Sequence, residues 1–96
     1  MESAALERLV ALLGKYGELG GDELEDLYDL ADDVYNVAKS KFLEALLDPK
    51  SETATRIIGM AIELLKKERR TFEEELLLVA LLDIIATDAY DRLATE

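Results

Sequence analysis

The amino-acid sequence predicts an all-α fold: a four-helix bundle-like domain of up-and-down topology, with a short first helix and a central, highly apolar last one. Three observations carry that expectation. Apolar residues recur every three or four positions along most of the chain, the period of an amphipathic helix. The strongest breakers are confined, with Gly14, Gly17, Gly20 and Gly21 holding four of the five glycines and Pro49 the single proline. The stretch Leu76 to Ala86 contains one polar residue, Asp83. It is too long for a buried strand and falls short of the roughly 20 apolar residues that span a bilayer.

The single all-α domain of residues 1–96 divides into helices over about residues 3–15, 22–47, 49–69 and 72–94. Ser3 opens the first, and Leu6, Leu9, Val10, Leu12 and Leu13 form its stripe. The glycine cluster that follows marks a loop, in which glycine supplies a positive φ at the helix end. Asp22 with Glu25 reads as a capping box for the second helix, whose inner side carries Leu24, Leu27, Tyr28, Ala31, Val34, Tyr35, Ala38, Phe42, Ala45 and Leu46. Asp48-Pro49 breaks it, with Pro49 set as the first residue of the third helix under an Asp48 cap. There Ala54, Ile57, Ile58, Ala61, Ile62, Leu64 and Leu65 face inward. Thr71 with Glu74 forms a second capping box, ahead of the last helix. The polar or small positions of that helix, Glu73, Ala80, Asp83, Thr87 and Asp91, fall on one narrow line with Leu76 its apolar exception, leaving roughly three quarters of the circumference for neighbours.

Composition bounds the chemistry. There are 22 acidic and 11 basic residues, a net charge of −11. That balance repels phosphate backbones and anionic lipid, so neither nucleic acid nor a membrane surface is an expected partner. Cysteine and histidine are absent, which removes thiolate nucleophiles, the commonest general base and the commonest zinc ligands. No catalytic residue, cofactor site or metal site is expected, and the protein reads as a non-enzyme. Met1-Glu2-Ser3 lacks the basic start and apolar run of a signal peptide, so a soluble, cytoplasmic-type chain is expected.

Five features compete with a purely structural reading. The second helix carries an acidic ladder of Asp22, Glu25, Asp26, Asp29, Asp32 and Asp33, with no basic residue between Lys15 and Lys39. Like charges at i,i+4 are mildly destabilising, so a ladder that tolerates them suits a basic protein partner or a hard cation. The structural counter-reading is a solvated face at a helix N-terminus, paired with the Lys66–Arg70 cluster. Asp83, if buried, would titrate high and suggest acid chemistry, but its place on the polar line predicts exposure. Tyr28 and Tyr35 border the apolar face with wet hydroxyls. Lys66 to Arg70 reads as a complement to a helix dipole rather than a phosphate grip. Gly59 sits mid-helix at a cost of roughly 1 kcal/mol against Ala, which a close approach of another helix or subunit would explain. A monomer is the first expectation, with a homodimer through Leu43, Leu46, Leu47, Tyr90 and Leu93 as the second.

All-α nucleoside-triphosphate pyrophosphohydrolases of the MazG type hold magnesium with paired Glu-x-x-Glu and Glu-x-x-Asp motifs. This chain has the single spacing Glu23 to Asp26 and no Glu-x-x-Glu, so that chemistry is not expected. In style the whole chain resembles a de novo designed helical bundle. Ser3, Asp22, Asp48-Pro49 and Thr71-x-x-Glu74 start each helix, acidic residues crowd the early turns, and Lys or Arg closes the first three helices. That resemblance implies a structural protein with no native ligand. A small acidic interaction module, mimicking nucleic acid towards a basic partner through the helix-two ladder, is the alternative.

Overall fold

The computed structural model describes residues 2–95. The chain is 84% helical, with four α-helices and no strand among the described residues, the all-α class that the periodicity predicts. The helices are α1 (Ser3–Gly14), α2 (Gly21–Leu46), α3 (Glu52–Lys66) and α4 (Phe72–Ala94), with a 3-10 turn over Tyr16–Glu18. No helix among the described residues is long and apolar enough to cross a membrane. The chain comprises two compact units, Met1–Ala38 and Lys39–Glu96, which divide within α2.

In the first unit, α1 and the N-terminal part of α2 run antiparallel. Arg8 pairs with Asp26, and Lys15, seven residues later, pairs with Glu23, three residues earlier. Leu12 and Leu27 are buried here, while Leu6, Val10, Leu13, Leu24, Tyr28 and Tyr35 are exposed. The apolar stripes of α1 and α2 drawn from periodicity are therefore wider than the lines that are covered. The connection differs from expectation as well. No glycine among the described residues has a positive φ, and Lys15 ends α1 at φ −125°. Its N–H donates to Leu12 O at 3.2 Å, and the 3-10 turn follows directly, so the chain reverses without left-handed backbone.

The second unit holds the main core: Leu46 from α2, Ala54, Ile57, Ala61 and Leu64 from α3, and Leu78 and Leu81 from α4, with Ile84 and Ile85 packed against them. On α3 these four residues follow a 3-4-3 spacing, one face of a helix. Ile58, Ile62 and Leu65, expected inside, are exposed. The larger correction concerns α4. Its three-quarters coverage is not realised: Leu78 and Leu81 are buried, but Phe72, Leu76, Leu77, Val79, Leu82, Tyr90 and Leu93 are exposed. Residues 100° apart cannot all reach one layer of neighbours, so α4 buries a single stripe. Helix direction alternates here. Lys39 and Leu46 of α2 meet Asp83 and Arg92 of α4 in the same order along the chain, so these two segments run parallel, with α3 returning between them.

The helix starts show which caps the sequence disclosed. Thr71 and Glu74 form the reciprocal box as expected: Glu74 N–H donates to Thr71 Oγ1 at 3.2 Å, and Thr71 N–H donates to Glu74 Oε1 at 2.9 Å. At the other three starts the cap lies one to three residues from its expected place. Ser3 lies inside α1, behind Glu2, whose side chain makes no capping bond. At α2 it is Gly20 N–H that donates to Glu23 Oε1, at 3.3 Å, so Asp22 and Glu25 lie within the helix. At α3, Asp48 O accepts from Ser51 N–H at 3.0 Å, making Pro49 the second residue of a β-turn rather than the first of a helix. Ser51 becomes the N-cap, its Oγ accepting from Ala54 N–H at 3.2 Å and donating to Ala45 O at 3.2 Å.

Candidate functional site

The acidic ladder lies on α2 in the first unit. Asp22, Glu25, Asp26, Asp29, Asp32 and Asp33 are all exposed, as a solvated face requires. Arg8 Nη2 reaches Asp26 Oδ2 at 3.3 Å, and Asp32 Oδ2 accepts from Asn36 Nδ2 at 3.2 Å. Glu23, outside the ladder as drawn, is the α2 carboxylate with the strongest local support. The Lys15 ammonium and the Gly20 N–H beside it hold its carboxyl below the usual value of 4.5. No group of three or more carboxylates among the described residues is placed to hold a metal ion.

Beside the ladder an open apolar groove of about 500 Å³ runs between α1 and α2, lined by Leu13, Tyr16, Leu24, Leu27, Tyr28, Ala31, Asp32 and Tyr35. It brings Tyr28 and Tyr35 together, as their one-heptad spacing implies, and adds Tyr16, which no periodic pattern places there. Asp32 is the one charged residue in the lining.

In the second unit Asp83 is exposed, as the polar line predicts, and its Oδ2 pairs with Lys39 Nζ at 3.1 Å. Periodicity did not reveal this partner, which lies 44 residues away in sequence on another helix. The Lys39 side chain is only 16% exposed, so its stem is packed while its ammonium is neutralised. Two arginines carry roles of the same long-range kind. Arg92 Nη2 donates to Leu46 O at 2.7 Å, satisfying a carbonyl that the last turn of α2 leaves open, while its Nε holds Asp88 at 2.8 Å. Arg70 Nη1 donates to Leu64 O at 3.0 Å at the end of α3, and its Nε pairs with Glu75 at 2.9 Å. Lys67 pairs with Glu74, which lowers the Glu74 carboxyl together with the Thr71 N–H.

Of the Lys66–Arg70 cluster, expected to pair with the α2 ladder, Arg70 serves the end of α3, as dipole complement predicts, and Lys67 and Arg70 pair instead with Glu74 and Glu75 in the first turn of α4. The expected closure of the first three helices by Lys or Arg holds in the last turn of α3 alone; α1 and α2 have no basic residue there. At α2 an arginine from α4 takes that part. Leu46 is buried, which removes it from the expected dimer surface, whereas Leu47, Tyr90 and Leu93 remain exposed and Leu43 is half-buried. No atom beyond its own helix backbone and chain neighbours lies within 4 Å of where a Cβ on Gly59 would sit, so no close approach within the chain accounts for that glycine.

The arrangement offers salt-bridged surfaces, capped helix ends and exposed apolar stripes. No family model, curated protein or solved structure matches the chain.

Proposed function

We propose that this protein is a structural helical domain in the style of a designed bundle, whose sequence serves folding rather than catalysis or the binding of a small ligand. The observation that supports this most is where its charged and hydroxyl side chains are used. Lys67, Arg70, Arg92, Thr71 and Glu74 bond helix ends or one another, and the buried positions are apolar throughout the core. Polar side chains spent on helix ends around an apolar cluster are what a sequence selected for folding alone would show. Thermal melts with magnesium, manganese, calcium and a panel of common nucleotides test it. No shift in Tm is expected, and a saturable rise of several degrees with any of them contradicts it.

A second reading rests on the ladder. The six carboxylates Asp22, Glu25, Asp26, Asp29, Asp32 and Asp33 share one exposed helix face, and Arg8 is the cation paired to it. That face suits a basic protein, and the chain would then act as a small acidic interaction module that mimics nucleic acid. Pull-down against basic proteins at low and moderate salt tests it. Retention that weakens with salt and is lost when Asp29 and Asp33 become Asn supports the module; no retention removes it.

A further inference from the structure

The outward side of α4 carries a pattern its buried side does not explain. Phe72, Leu76, Val79, Asp83, Ala86, Tyr90 and Leu93 follow one another at intervals of four, three, four, three, four and three residues. That is an unbroken heptad seam over three repeats, the period at which two helices wind around each other. It lies on the side of α4 away from Leu78 and Leu81, and its five large apolar members are each 56% to 73% exposed. A surface helix that needs only a wet outer face places charge there. The seam positions hold a single carboxylate, Asp83, which Lys39 already neutralises at 3.1 Å, while Glu73, Glu75 and Asp91 stand beside the seam near its two ends.

We propose that two copies of the chain associate through this face, their α4 helices packed antiparallel along the heptad seam. The available area fits. With roughly 150–250 Å² for an aromatic side chain, Phe72 and Tyr90 expose on the order of 300 Å², and Leu76, Val79 and Leu93 together add about as much. Leu82, Ala86 and Ala89 alongside bring this near the ~800 Å² per partner of a stable interface. Beyond the first turn, where Glu73 and Glu75 flank the seam, the flanks fit a second helix too: Ala80, Thr87 and Ala94 lie on one side, and Leu82 and Ala89 on the other, leaving room for its knobs. Charge sets the direction. Glu73, Glu74 and Glu75 crowd the first turn of α4, and a parallel pair would set two such turns side by side in a protein already at −11. The antiparallel pair separates them by the length of the helix and brings two neutral Lys39–Asp83 pairs to its centre.

Sedimentation across roughly 10 to 300 µM tests the association. The expected mass approaches twice 10.7 kDa. Val79→Glu, at an exposed position, is expected to return the mass of one chain with an unchanged helical circular-dichroism signal. A parent protein that stays at one chain mass throughout, or a Val79→Glu variant that keeps the doubled mass, overturns the proposal. The chain has no cysteine, so single cysteines report direction without relying on Val79→Glu. Leu82→Cys, near the centre of the seam, is expected to form a disulfide-linked dimer on mild oxidation, and Phe72→Cys is not. Cross-linking at Phe72 or its absence at Leu82 contradicts the antiparallel pair.

Discussion

The two units of this chain are built from the same kind of amphipathic helix, yet they differ in what they bury. Lys39–Glu96 collects seven buried apolar residues from three helical segments, whereas Met1–Ala38 buries Leu12 and Leu27 between two. The difference is geometric. A third segment closes the space beside a helical hairpin; two helices leave one side of each open, and in the first unit that side is the apolar groove lined by the three tyrosines. Hydrophobic stabilisation scales with the area removed from water, so equal apolar composition gives unequal stability. The polar bonds follow the same division. In the second unit Arg70 and Arg92 tie helix ends to other elements, while in the first Arg8 and Asp26 join two exposed side chains, which contributes little, and Lys15 meets a half-buried Glu23.

The sharpest way to break this comparison is in the cores. Leu81→Ala, inside the seven-residue cluster, is expected to cost about 3–4 kcal/mol in denaturant unfolding. Leu12→Ala, fully buried but with fewer helices to lose contact with, should cost about 2 kcal/mol. An equal or reversed order would mean the two units are equally well packed. Arg92→Met comes next. It leaves Leu46 O without its guanidinium donor and Asp88 without its partner, at an expected cost of about 1.5 kcal/mol in the same measurement. Gly59→Ala acts in the opposite direction. The space is open and φ is not positive, so a gain of about 0.8 kcal/mol is expected, seen as a higher Tm.

Acid gives the smallest effect and samples both units at once. Glu23 and Glu74, one in each, have carboxyl groups held below 4.5 by Lys15 and Lys67. A group whose folded pKa is depressed contributes stability above its unfolded value, and that contribution is lost as pH falls through the folded value. Tm should therefore decline on acidification below about pH 4.5. Lys15→Met and Lys67→Met should each flatten part of that decline, and a profile unchanged by either would remove the lysine as its cause.

How much of this was legible in the sequence depended on range. The number and type of the helices follow from period and breakers, and the box at Thr71 and Glu74 is legible because Thr71 is the one capping residue type at that helix start, after Arg69 and Arg70. The caps of α2 and α3 differ from expectation because glycine, serine and aspartate crowd those segments, and which of them caps is decided by the turn before it, while α1 begins one residue early, at Ser3 behind Glu2. Pro49 shows this: it is compatible with a helix start and with the second position of a β-turn, and Ser51 bonding both Ala45 O and Ala54 N–H selects the turn. The coverage of α4 was overdrawn for a different reason. Apolar character states which residues prefer to be buried, not how many neighbours the chain has to cover them. The exposure of Asp83 and of the α2 ladder was legible from the helical wheel. The partner of Asp83 was not, since no local pattern joins Lys39 to it across 44 residues.

Native-state hydrogen exchange followed residue by residue tests the central claim, that stability resides in the cluster formed by the end of α2, α3 and α4. Amides around Ile57, Ala61, Leu78 and Leu81 should open only with global unfolding, while those of α1 and of residues 21–38 exchange through smaller openings at lower free energy. Protection that is uniform along the chain, or greatest around Leu12 and Leu27, would contradict it.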